Sequence, residues 1–164
     1  MRPTPVPVGP GQESVWTYPR PAIAEPTMRH LVVRHRGVTI AETRAGIRTL
    51  ETSHPPSYYF PRGDVATALL RPATHRSLCE WKGQARYFDV HVEGEAIVEG
   101  AWSYAQPTRA FAMLAGHIAF YPHLFDTCLV DGKRAVAQPG GFYGGWVTAD
   151  LAGPFKGGPG TQFW

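Results

Sequence analysis

Proline and glycine decide what this chain can become. Sixteen prolines and eighteen glycines in 164 residues make up about a fifth of the sequence. Proline removes a backbone donor and fixes φ, and glycine costs entropy inside a regular element. A chain punctuated this often folds into short strands and turns, with little long helix. The hydrophobic fraction of 43% still provides a core, and the length fits one domain of ordinary size.

The punctuation falls between runs of period two. Leu31 to Arg36 alternates, Arg36-Gly37 turns, and Val38 to Thr43 returns. A short strand is predicted from Ile47 to Glu51 and another at Tyr58-Tyr59-Phe60. Gln84 to Val92 sets Ala85, Tyr87, Asp89 and His91 against Arg86, Phe88, Val90 and Val92, with the second set expected inside. Lys82-Gly83 and Glu93-Gly94 read as turns, and Gly100 as a bulge in the return strand. Asp131-Gly132 is a hairpin signal of the type I′ kind. Two short helices are expected. One is capped by Asp64, uses Val65, Ala68 and Leu69 as its face, and is closed by Pro72; the other runs from Pro107 to Ala115.

The predicted class is therefore mainly β: antiparallel sheets of short strands with one or two short helices. Residues 1–14 read as a disordered, Pro/Gly-rich tail. Residues 15–164 read as a single β domain, including an aromatic strap at Val15 to Pro21 and a docked, Gly- and aromatic-rich C-terminal tail.

Several functions lack their residues. There is no Gly-x4-Gly-Lys-Ser/Thr phosphate loop, no dinucleotide glycine pattern, no Gly-x-Ser-x-Gly and no His-Glu-x-x-His. Ser53-His54 are neighbours on an extended backbone, where side chains point apart. Cys79 and Cys128 stand alone and read as buried thiols. The net charge of +3 is unfocused, and the cluster Arg29, His30, Arg34, His35, Arg36 reads as the solvent face of a strand, so nucleic acid is not expected as a partner. No apolar run approaches a bilayer's thickness and no leader-like segment opens the chain. A soluble cytoplasmic protein is expected.

Six stretches together carry a resemblance. They are Val15-Trp16-x-Tyr18-Pro19-Arg20-Pro21, Glu51-Thr52-Ser53-x-Pro55-x-x-Tyr58-Tyr59-Phe60-Pro61, Lys82-Gly83-x-Ala85-x-Tyr87, Ala101-Trp102-x-Tyr104-x-x-Pro107, Ala119-Phe120-Tyr121 and Gly153-Pro154-Phe155-Lys156-Gly157. The chain from about Val15 resembles the bacterial family called domain of unknown function 427, as a single copy. The resemblance implies a small β fold similar to the β-tent (Mss4-like) group, whose members often hold zinc through two Cys-x-x-Cys knuckles. This sequence has neither knuckle, so no metal or other cofactor is expected. Some relatives in that broader group bind small ligands in aromatic cages. The family also carries a nucleotidyltransferase-like label. Nucleotidyl transfer needs paired carboxylates, and this chain has no Gly-Ser dipeptide and no Asp-x-Asp.

The motif residues that packing alone does not need are Arg20, Glu51, Ser53, Tyr58, Lys82, Tyr87, Trp102 and Tyr104. If their faces converge, they line a pocket with aromatic walls, a carboxylate and one or two cations. Three functions follow. The first is a domain that binds a small polar or aromatic molecule. The second is an enzyme on a small polar substrate, with Glu51 as acid/base of raised pKa and Lys82 or Arg20 holding an anion. The third is an interaction module whose C-terminal tail docks on a partner or a second copy as a homodimer. Equally, these rings and charges can serve packing and loop anchoring alone.

Overall fold

A computed structural model of the chain describes residues 2–164; Met1, the first residue of the predicted tail, lies outside the described residues. The alternating runs form the strands they predict. They are preceded by β2 (Ile23–Thr27), which no alternating run predicts, and include β3 (Leu31–His35), β4 (Val38–Thr43), β5 (Gly46–Leu50) and β6 (Ser57–Phe60). A long meander follows, made of β7 (Leu70–Cys79), β8 (Gly83–Val92) and β9 (Glu95–Ser103). After it come β10 (Ile118–Phe120), β11 (Thr127–Val130) and β12 (Lys133–Arg134). Short pairs β13 (Val136–Ala137) with β14 (Trp146–Val147), and β1 (Glu13–Ser14) with β15 (Leu151–Ala152), complete the set.

Two sheets make the architecture. One is a seven-stranded antiparallel sheet in the order β2-β5-β6-β10-β9-β8-β7. The other is four-stranded, β12-β11-β3-β4, and closes over one face of the first. Leu31, Val33 and Ile40 from the small sheet meet Tyr58, Phe60, Val90, Ile97, Ile118 and Phe120 from the large one. No helix among the described residues is long and apolar enough to cross a membrane.

Three local expectations are corrected. The two predicted helices are only 3-10 turns: Arg62–Asp64 and Thr67–Leu69 replace the first, and Arg109–Leu114 replaces the second. Asp64 does not cap; its carboxylate accepts from the Thr43 hydroxyl at 2.7 Å. Pro72 does not close a helix but lies inside β7, a ten-residue strand at the sheet's edge. There proline is tolerated because one side of the strand needs no donor, and the register shifts between Pro72 and Arg76.

The N-terminal segment lies along the C-terminal one. Val6 N–H donates to Gly153 O at 2.8 Å, and β1 pairs in parallel with β15. Val15, Trp16 and Tyr18 are buried with Leu50 and Leu151. Arg48 ties this corner together, donating to Glu13 at 2.9 Å and Glu25 at 2.7 Å. Four of the five residues of the basic cluster pair locally: Arg29 with Asp150, His30 with Glu42, and His35 and Arg36 with Glu95, while Arg34 donates to Gly37 O. Cys128 is buried and Cys79 half-buried, and burial pushes the Cys128 thiol up to about 12.

Trp146 fastens the C-terminal segment to the core. It is fully buried, meets Tyr58 edge-on at 5.2 Å, and donates from Nε1 to Phe120 O at 3.2 Å. Trp146→Ala is expected to destabilise the whole domain by about 3–5 kcal/mol. Phe142→Ala, at a ring 77% exposed, should stay within about 0.5 kcal/mol. Denaturant titration followed by circular dichroism checks both. An unchanged midpoint for Trp146→Ala would show that the segment does not belong to the folding unit.

Candidate functional site

The other face of the seven-stranded sheet carries the cavity. A single file of side chains crosses five strands there. Ile47 pairs with Tyr59, Tyr59 with Ala119, Ala119 with Trp102, and Trp102 with Tyr87. Tyr104 lies on the same face two residues beyond Trp102. Ala119 is fully buried within the file, and Tyr59, Tyr87, Trp102 and Tyr104 line a cavity of about 530 Å³, a volume typical of small-molecule sites.

The rings are fixed by one another. Trp102 Nε1–H donates to the Tyr59 hydroxyl at 3.2 Å, and the two rings meet edge-on at 6.0 Å. Tyr121 packs 4.4 Å from Trp102. Tyr87 stacks on His75 at 4.7 Å and shares a hydrogen bond with Ser77 at 2.7 Å. Burial, the leading cause, pushes the phenols of Tyr59, Tyr104 and Tyr121 well above the ordinary tyrosine range, so they stay protonated. Such rings offer faces and hydroxyls, not charge.

Charge enters from the loops. Glu51 follows β5, His54 and Pro55 follow it, Lys82 sits in the β7–β8 turn, and Gln138 to Gly144 and Lys156 close the rim. Gln138 is buried, and its amide is satisfied on all sides. The oxygen accepts from Gly145 N–H at 3.2 Å, and the nitrogen donates to Lys156 O at 2.8 Å and to His54 Nδ1 at 2.9 Å. With Nδ1 accepting, the imidazole proton sits on Nε2, which faces Glu51 Oε2 at 3.3 Å. Burial works to raise the Glu51 carboxyl's pKa. The His54 hydrogen bond and the positive charges of Lys82 and Arg20 outweigh it and hold the carboxyl below the usual range. The expectation of a raised Glu51 is thereby corrected: the group is an ionised acceptor.

Of the residues read from sequence, Glu51, Lys82, Tyr87, Trp102 and Tyr104 line the cavity. Tyr58 does not. It lies one residue out of phase, and its ring is buried in the inter-sheet core against Trp146. Arg20 is exposed and holds Thr52 O and Trp164 O, reaching Glu51 only at 3.9 Å. Ser53 is fully buried with φ of 75°, does not line the cavity, and its hydroxyl has no partner among the described residues.

Sequence reasoning missed Tyr59, Tyr121, His54, Gln138, Tyr143 and Lys156 on the cavity wall. Tyr59, Tyr121 and Lys156 stood inside motif stretches. Gln138 and Tyr143 lie outside periodic structure and gave no signal. A second chamber of about 280 Å³ adjoins the first and shares His75, Tyr87, Tyr121 and Phe142 with it. His75 Nδ1 lies 2.6 Å from Glu99 in its wall.

A protein-family model matches residues 23–131, and its description is Domain of unknown function (DUF427). The span is more than half of the chain and contains Glu51, Lys82, Tyr87, Trp102, Tyr104 and Tyr121; Gln138, Tyr143 and Lys156 lie beyond it. No curated protein matches the chain.

Glu51 gives the site a pH signature. A carboxyl with a depressed folded-state pKa contributes stability above its unfolded value and loses it as pH falls through the folded one. The stability lost in Glu51→Gln is therefore expected to be full at pH 7. It should shrink as pH falls below the ordinary value of 4.5. Glu13 and Asp150 are held low too, so the difference between wild type and variant, measured by urea unfolding from pH 7 to 3, isolates Glu51. A difference that grows on acidification would contradict the assignment.

Proposed function

For a chain that belongs to the family described as Domain of unknown function (DUF427), we propose binding of a small aromatic molecule as the function, with the sheet-face cavity as its site. The observation that carries this reading is the set of rings Tyr59, Tyr87, Trp102, Tyr104 and Tyr121, which line one open space and are fixed by contacts with one another and their neighbours. Rings held by edge contacts and hydrogen bonds need no reordering on binding, which lowers the entropic cost. Stacking against Trp102 and Tyr121 supplies affinity; Glu51, Lys82 and the tyrosine hydroxyls supply orientation.

Binding is favoured over turnover by the state of the polar groups. Both His54 nitrogens are engaged, and Glu51 is held ionised, so neither is set up to give a proton. Among the described residues Glu51 is the one carboxylate on the main cavity. A pair of carboxylates, which nucleotidyl transfer needs, does not line it.

Thermal-shift screening with nucleosides and aromatic metabolites tests the reading. A ligand at a hundredfold excess over its Kd is expected to raise the melting temperature by roughly 5 °C or more. Trp102→Ala should abolish the shift, and Tyr143→Ala, at the rim, should reduce it. A shift that persists in Trp102→Ala would remove the ligand from this cavity.

A further inference from the structure

The cavity holds two opposite charges that do not meet. Glu51 and Lys82 both line it, and the ammonium is close enough to help hold the carboxyl ionised. Yet among the described residues Lys82 makes no ion pair and no side-chain hydrogen bond; its Nζ rests 5.5 Å from the centre of the Phe111 ring. Opposite charges on flexible stems in a half-enclosed space ordinarily close on each other, because the pair gains Coulomb energy where water is scarce. Here Glu51 is held by its neighbours, and Lys82 is anchored at its backbone.

Glu51 is held from behind. One oxygen, Oε2, faces His54 Nε2 at 3.3 Å and Arg20 at 3.9 Å, while Oε1 has no partner among the described residues. His54 is in turn fixed by Gln138, so the carboxylate cannot swing without breaking the chain behind it. The backbone of Lys82 is held in its turn. Its carbonyl accepts from Thr108 N–H at 2.9 Å, and Thr108 Oγ1 also bonds to Trp81 O. Gly83 follows with φ of 111°, and a Cβ there would sit 3.3 Å from Gln106 O, so the turn is packed down on residues 106–108. Lys156, the other cation on the wall, is already used, with its Nζ 3.4 Å from Trp164 O and 5.8 Å from the centre of the Tyr143 ring. Among the described residues the cavity thus offers one free acceptor and one free cation, anchored separately, with aromatic walls beside them.

We infer that the ligand is a bipolar aromatic molecule, with a cationic nitrogen for Glu51 Oε1 and a carboxylate for Lys82, its ring lying against Trp102. The inference rests on the aromatic-cavity reading and deepens it. A neutral ring would leave Glu51 Oε1 and the Lys82 ammonium desolvated and without a ligand partner, and a ligand with one charge would leave the other so.

A matched set of indoles separates the contributions: L-tryptophan, tryptamine, indole-3-propionate and indole, each titrated calorimetrically into the full chain. L-Tryptophan is expected to bind at least about tenfold tighter than either singly charged compound, with indole weakest. Glu51→Gln should bring L-tryptophan down to indole-3-propionate, and Lys82→Met should bring it down to tryptamine. Circular dichroism verifies that each variant is folded, and Lys82→Met stands as the test if Glu51→Gln is not. Equal affinities across the four in wild type, or a ranking that survives either folded variant, would overturn the bipolar assignment. So would the absence of binding by all four at millimolar concentration. In each case a nucleoside shift lost in Trp102→Ala would still support the aromatic cavity, so the two readings fail separately.

Discussion

Everything in this molecule depends on a sheet that is buried on both faces. An antiparallel sheet can leave one face to water, and then alternation sorts side chains into apolar and polar. The seven-stranded sheet does not do this. Its even-numbered positions in β6, β8 and β10, such as Tyr58, Phe60, Val90 and Phe120, face the four-stranded sheet. Its odd positions, such as Tyr59, Ala85 and Ala119, are buried as well, beneath loops and 3-10 turns. Irregular segments cover a face less completely than a second sheet does, and the space they leave is the cavity. The aromatic choice at odd positions follows: large rings reach across a gap that loops do not fill, and tyrosine hydroxyls meet the polar edge of it.

The polar wall is built on the same logic of incomplete cover. Three loops converge there, and each brings backbone groups that need partners. Gln138 takes a donor from one and an acceptor from another, then spends its remaining proton on His54. Glycine makes the approach feasible. A Cβ on Gly145 would fall 2.5 Å from Gln138 Oε1, and one on Gly144 would fall 2.2 Å from the Trp102 ring. The glycines of the docked tail are therefore points of close contact, Gly144 on the cavity wall and Gly145 against Gln138 behind it.

Period two carried most of the fold into the sequence, and its limits are as physical as its successes. The β3–β4 hairpin and the burial of Val90 and Val92 were legible because one residue type repeats on one face. Tyr58-Tyr59-Phe60 was not fully legible, because a run of aromatics has no internal phase; a one-residue slip exchanges core for cavity. β7 was hidden because Asp64, Val65, Ala68 and Leu69 imitate a helical face, and because Pro72 is foreign to a central strand though not to an edge. Glu51 and Lys82 were readable as chemistry but not as a pair held apart. Their restraint comes from Gln138 and Thr108, which are distant in sequence and carry no pattern.

The position of the wall residues couples binding to folding. Tyr59, Trp102 and Tyr87 sit on strands inside the matched family span, while Gln138, Tyr143 and Lys156 sit in the segment after it. That segment is tied down by Trp146 in the core and by β15 against β1, in addition to its contacts at the cavity. Cavity closure is therefore supported from behind, by apolar burial that a ligand does not have to supply. A ligand that touches both walls gains affinity only to the extent that the segment is already in place. The same Gln138–His54–Glu51 chain that orients the carboxylate also spans the boundary between the two groups of residues. Changes that loosen the segment then act twice, once by opening the rim and once by freeing Glu51 to turn toward Lys82. A closed Glu51–Lys82 pair would remove both recognition charges at once, so the glycine-rich segment that completes the wall is also what keeps the site receptive.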